Sequence, residues 1–344
     1  MIKSMRNICH LIYPAIILLA ACSTTSREIG TEENLQRQPA SKPLYRDPIY
    51  DGAADPSVIR NQVDGKWYMC YTNRRANVDT LTDGVSWVHG TRIGMAVSED
   101  GGTTWTYRDT CDIGYYLPGV TYWAPEVIFH EDTYHMYLTI VPGIFSDWSH
   151  PRHIIHLTSD DLQAWEFQSQ LELVSDKCID ACVFRLPDGN WRLYYNNERD
   201  NKSIYYADSP DLYHWTDSGQ KVIGDERGEG PKVFQWKDRY WMVVDNWKGL
   251  GVYSSDDMTH WQRQTAPLLD EPGTGADDGA IGQHPDVVVT PAGRAFLFYF
   301  THPEHATGGF AARRTSIQVV ELEMNAQGEI VCDRNKPVFV NLDE

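Results

Sequence analysis

The chain has 344 residues, of which 48 are Asp or Glu and 30 are Lys or Arg, giving a formal net charge of −18. That balance excludes a nucleic-acid-binding role, which needs a basic face toward phosphate. Its 42% hydrophobic and 12% aromatic residues supply ample apolar surface for a packed core and exclude a disordered chain.

The N-terminus reads first. Lys3 and Arg6 precede an apolar run, residues 11–21, and then Cys22. The run is too short to remain as a membrane-spanning helix, so it predicts a secretory signal segment. Leu19-Ala20-Ala21-Cys22 resembles the bacterial lipoprotein cleavage box. On that pattern residues 1–22 are a signal peptide and Cys22 becomes the lipidated N-terminus in the bacterial cell envelope. The membrane is then a partner only through this anchor. Residues 23–45 predict a flexible tether, and 46–344 a single domain. Cys178 and Cys182 lie about 13 Å apart on one predicted strand, too far for a disulfide; they are expected to be small buried side chains.

From residue 54 a short phrase recurs: ADPSV (54–58), WAPEV (123–127), IDACV (179–183), EGPKV (229–233) and QHPDV (283–287). The closing valines are 69, 56, 50 and 54 residues apart. Each phrase is followed by an aromatic, β-branched strand: 65–72, 132–139, 189–196, 238–245 and 293–300. A third strand then runs into a Ser-Asp turn and a tryptophan: Ser98 with Trp105, Ser159 with Trp165, Ser209 with Trp215, Ser255 with Trp261. These four tryptophans are expected to be packing residues. The fifth repeat lacks the turn, and residues 312–324 supply its third strand. Units of about 50 residues holding three to four strands predict an all-β fold, a five-bladed β-propeller.

The innermost strand of every propeller blade lines one central channel, so equivalent positions converge there. Three before the closing valine stand Asp55, Ala124, Asp180, Gly230 and His284, with Glu229 one residue earlier in the fourth copy. Asp55, Asp180 and Glu229 are therefore expected to meet in one site. Mutual repulsion and desolvation oppose such a cluster unless it binds a cation or performs acid–base work. Two carboxyl groups with split protonation are what glycosidic bond cleavage requires.

Ala54-Asp55-Pro56, Trp123-Ala124-Pro125 and Glu229-Gly230-Pro231, in that order on successive blades, resemble glycoside hydrolase family 43 over about residues 50–324. The resemblance implies inverting hydrolysis of an oligo- or polysaccharide, with Asp55 as general base, Glu229 as general acid, and Asp180 orienting Glu229 and holding up its pKa. It implies an exo-acting enzyme on terminal pentosides of plant cell walls, α-L-arabinofuranosides foremost. β-Xylosidase, galactosidase and anhydro-galactosidase activities, the last with a histidine acid, share the scaffold, as does a non-catalytic sugar-binding propeller. Ala181 departs from the family pattern, which more often has a proline there.

Further candidates for substrate binding are Trp123, Trp247, Asn246, His284, His302, Arg75 and Arg199, with Arg74 beside Arg75. Trp87 and Trp148 lie in the two longest inserts, 73–92 and 141–153, which should rim the pocket. Glu126 is expected to sit deeper, in a structural role. No cofactor is required on this reading. A structural calcium or sodium ion in the central channel is the cation the pattern allows, with His284 as the metal-side candidate and Asp286 nearby.

Overall fold

The structure is a computed structural model that describes residues 38–344. The signal segment, Cys22 and the tether as far as residue 37 lie outside the described residues.

Five antiparallel sheets follow one another along the chain. The first holds β1 (Ala53–Arg60), β2 (Trp67–Asn73), β3 (Arg92–Ser98) and β4 (Thr106–Thr110). The second holds β6 (Thr121–His130), β7 (Thr133–Val141), β8 (His153–Ser159) and β9 (Ala164–Gln170), and β5 (Asp112–Ile113) adds to its outer edge in parallel with β9. The third is β10 (Cys178–Arg185), β11 (Trp191–Asn197), β12 (Ser203–Ser209) and β13 (Thr216–Ile223). The fourth is β14 (Glu229–Trp236), β15 (Arg239–Asp245), β16 (Leu250–Ser255) and β17 (Gln262–Arg263). The fifth is β18 (Gln283–Val289), β19 (Ala295–Thr301), β20 (Ser316–Met324) and β21 (Ile330–Cys332). The innermost strands touch in the order β1, β6, β10, β14, β18 and back to β1. The fold is a five-bladed β-propeller.

Apolar side chains fill the five seams between blades. On β2, Trp67, Met69 and Tyr71 face blade five, whereas Tyr68 and Cys70 face blade two. Both faces of a blade are buried, which is why the second strands read as near-continuous apolar runs rather than a clean alternation. Cys178 and Cys182 are free and buried in their seams. Trp105, Trp165 and Trp215 each donate their indole N–H to a carbonyl of their own turn, at Gly102, Leu162 and Leu212.

Hydrogen bonds stitch neighbouring inner strands together at the closing valines. Val127 N–H donates to Ser57 Oγ (3.1 Å), Val183 N–H to Glu126 Oε1 (3.1 Å), Val233 N–H to Cys182 Sγ (3.2 Å) and Val58 N–H to Asp286 Oδ2 (2.6 Å). Four of the five recurring valines thus mark inter-blade links, whereas Val287 N–H donates to its own neighbour Asp286.

The ring closes between blades one and five without a shared strand. Tyr45 bridges Ile317, Ala40 N–H donates to Val338 O, and Leu44, Tyr45, Val338, Val340 and Leu342 are buried in that seam. The chain is therefore packed from about residue 40, earlier than the tether boundary read from composition.

Candidate active site

At the start of every inner strand the pairing register slips: between Ala54 and Ser57, Trp123 and Pro125, Ile179 and Cys182, Glu229 and Lys232, Gln283 and Asp286. One residue inside each slip has left-handed backbone: Asp55 (φ 51°), Ala124 (44°), Asp180 (59°), Gly230 (56°) and His284 (37°). For a non-glycine residue this costs on the order of 1–3 kcal/mol. In four copies the next residue is proline, which disfavours the right-handed helical region for the residue before it; Asp180 precedes Ala181 and adopts the same conformation. Bulges re-aim side chains, and these turn Asp55, Asp180 and His284 into one cavity. A Cβ at Gly230 would come within 2.9 Å of the His284 ring. Blade four therefore carries no side chain at this position, and its carboxylate comes from Glu229, one residue earlier.

The cavity has a volume of about 620 Å³ and is lined by Asp55, Asp180, Glu229, Trp123, Trp247, His284 and His302, among others. Asp55 accepts from Arg74 Nη2 (3.1 Å to Oδ1), and His284 Nδ1 lies 3.5 Å from the same oxygen. Burial works against ionisation of Asp55, but Arg74, His284 and a hydrogen bond from Thr72 outweigh it and hold its pKa below the ordinary carboxylate value. Asp180 is the reverse case. Burial, then Glu229, then Asp55 push its pKa well up, although Lys202 and the Gly230 N–H (3.1 Å) favour its charge.

Glu229 is more open. Its Oε2 lies 3.2 Å from Lys202 Nζ, and its Oε1 accepts from Trp247 Nε1 at 3.1 Å. Lys202 also bonds Glu198 (2.7 Å), which pairs with Arg152 (2.7 Å) under Trp123 and Trp148. Asp245 backs the group: it accepts the N–H of Trp247 (2.8 Å) and of His284 (3.2 Å), and burial together with Glu229 pushes its pKa up to about 7. His302 Nε2 accepts from Arg74 and its Nδ1 donates to Ala312 O; burial and Arg74 depress its pKa to about 3. That histidine is a poor proton donor at neutral pH.

Three expected substrate contacts fall elsewhere. Arg75 turns away from the cavity to donate to Ser86 O, and its neighbour Arg74 takes the inward position. Arg199 forms a bidentate pair with Asp176 and is half exposed. Asn246 is buried and donates to Arg227 O, whereas Trp247 lines the cavity. All three sit where a strand ends, and the tight turn there reverses the side on which the next residue emerges. Trp87 and Trp148 line the cavity as the inserts predicted.

Arg152, Glu198, Lys202 and Asp245 were not picked out from the sequence. Asp245 had a usable signal. At equivalent positions near the ends of the second strands stand Thr72, Thr139, Asn196, Asp245 and Phe300. Thr72 and Thr139 Oγ1 accept the N–H of Ala124 and Asp180, as Asp245 accepts that of His284.

The channel below the cavity does not fit a metal ion. Two residues beyond the left-handed positions lie Ser57, Glu126, Cys182, Lys232 and Asp286. Lys232 Nζ sits 2.9 Å from Glu126 Oε2 and 2.8 Å from Asp286 Oδ1. Asp286 is thus committed to Lys232, His284 faces Asp55, and among the described residues no three His, Cys, Asp or Glu side chains group as a metal site. Glu126 is deeper and ion-paired, as expected for a structural residue.

The sequence model of glycosyl hydrolases family 43 matches residues 45–328. Similar solved structures include a thermostable family-43 glycoside hydrolase (18% identity, TM-score 0.63, covering 84% of this chain and 96% of that one). A family-43 β-1,3-galactosidase bound to galactodeoxynojirimycin is similar at 16% identity and TM-score 0.63, over 85% of this chain and 97% of that one. A β-xylosidase/α-arabinofuranosidase from a compost microbial metagenome, in complex with xylotriose, is similar at 18% identity and TM-score 0.58, over 81% and 93%. At these identities the structural likeness speaks for the fold alone. No curated protein matches the sequence.

Proposed function

The chain belongs to glycosyl hydrolases family 43, and from that premise we propose that it is an inverting exo-glycosidase releasing terminal pentosides, α-L-arabinofuranosides foremost, from plant cell-wall saccharides. One observation carries the mechanism: Asp55 and Asp180 share a cavity with Glu229, yet their pKa values are driven in opposite directions. Asp55, kept ionised by Arg74, is the general base on the attacking water. Glu229 is the general acid. Asp180, whose pKa burial and the neighbouring Glu229 push well up, orients Glu229 from beside it and accepts the Gly230 N–H at 3.1 Å.

Trp123, Trp247 and His284 bound the sugar. His302, with its depressed pKa, favours Glu229 over a histidine acid and so a glycosidase of the pentoside kind over an anhydro-galactosidase. We further infer that Cys22 tethers the enzyme to the bacterial envelope.

A panel of aryl pentosides and hexosides tests the assignment. Asp55→Asn and Glu229→Gln should each lower kcat by about 10²–10⁴-fold, and proton NMR of the first-released sugar should show the inverted anomer. Wild-type rates in both variants would refute the roles. Turnover of a galactoside but no pentoside would replace the substrate class and leave the mechanism standing. Binding without turnover on every saccharide tried would make the protein a sugar-binding propeller.

A further inference from the structure

Lys232 stands in the middle of the propeller. It lies on β14, two residues beyond Gly230, and its ammonium reaches across the channel to Glu126 on β6 and Asp286 on β18. The two carboxylates are almost closed to solvent, with 7% and 4% of their side chains exposed, against 15% for Lys232. Each also ties a neighbouring blade: Glu126 accepts Val183 N–H of blade three, and Asp286 accepts Val58 N–H of blade one. The ammonium therefore connects all five blades through two carboxylates and two backbone N–H groups, and the Ser57 and Cys182 hydrogen bonds add two further inter-blade links.

We propose that the Lys232 ammonium is the built-in cation of this channel, taking by covalent attachment the position in which a bound calcium or sodium ion was expected. The argument is one of charge and space. Two buried carboxylates facing one another need a positive charge between them, because an uncompensated buried charge is strongly destabilising. A metal ion would satisfy that need with oxygen ligands. Here the ammonium already lies within hydrogen-bond distance of both carboxylates, so a metal there would have to displace a like charge. Burial opposes the charge on Lys232, but Asp286 and Glu126 outweigh it and hold its pKa well above the ordinary lysine value. The inner ring is thereby stable without a metal, whichever sugar the cavity accepts.

Thermal unfolding of the full chain reads this independently of activity. The wild-type midpoint should be the same after EDTA treatment and after adding Ca²⁺ or exchanging K⁺ for Na⁺. Lys232→Met keeps the aliphatic stem and removes the charge; its midpoint should fall by about 5–10 °C. The triple variant Glu126→Gln, Lys232→Met, Asp286→Asn, which leaves no stranded charge, should regain most of that loss. A wild-type midpoint that drops on chelation and returns with Ca²⁺ or Na⁺ would overturn the proposal, as would a Lys232→Met protein as stable as wild type. If Lys232→Met does not fold, the wild-type chelation series decides alone.

Discussion

At the scale of single residues, the proton count around Glu229 controls the chemistry. Burial first, and then the neighbouring Glu229, push the pKa values of both Asp180 and Asp245 up. Such groups lose protons as a set, so the alkaline limb of the rate profile belongs to the set rather than to one residue. In Asp180→Asn the carboxyl whose pKa burial and Glu229 push up is replaced by an amide of the same shape. The alkaline limb of kcat/KM, to which deprotonation of Asp180 contributes, should then move, with kcat falling more than KM rises. An unmoved limb would show that Asp180 only holds the backbone. The three acids were legible in the sequence because a repeat superposes them. Arg152, Glu198 and Lys202 were not, because they follow strands of unequal length and have no counterpart in other blades. Arg75, Arg199 and Asn246 were misread for a related reason: at a strand end, alternation no longer says which of two neighbours points inward.

At the scale of elements, inserts turn a general propeller into a pocket. The segment after β7 folds back over the segment between β2 and β3: Val85 N–H donates to Ser146 O, and Gly90 N–H donates to Thr121 Oγ at the start of β6, which in turn donates to Gly143 O. That contact stands Trp148 at the rim, 5.9 Å from Trp123 and half exposed, with Arg152 against both rings. An exposed indole on a cavity wall offers a flat apolar face, and losing it should weaken ground-state and transition-state binding alike. Trp148→Ala is expected to raise KM roughly fivefold, about 1 kcal/mol, with kcat unchanged. A matching fall in kcat would mean that the loop contacts the reacting sugar rather than its neighbour. The inserts were visible as gaps between repeats, and their position at the rim followed from the fold. Their mutual packing depends on backbone hydrogen bonds that no side-chain pattern announces.

At the scale of the whole molecule, a propeller works only while its ring is shut, because blade one contributes Asp55 and blade five contributes His284. The five blades and their order were legible from the repeats. The closure was not, since residues 333–344 repeat nothing. The tail runs along the seam between the first and last blades. Leu342 N–H donates to Gly101 O, Thr103 Oγ donates to Val340 O, and Trp67 Nε1 donates to Asp343 on the blade-one side. Arg294 donates to Phe339 O on the blade-five side. Leu342 is 1% exposed in a core drawn from both blades. Truncating a buried leucine costs about 2–5 kcal/mol, which for a domain of this size is a midpoint lower by about 5–10 °C. Leu342→Ala should show that drop in thermal unfolding and keep wild-type kcat at 25 °C, because the seam stays shut well below the midpoint. An unchanged midpoint would mean that the strands of blades one and five hold the ring by themselves and that the tail merely lies on it.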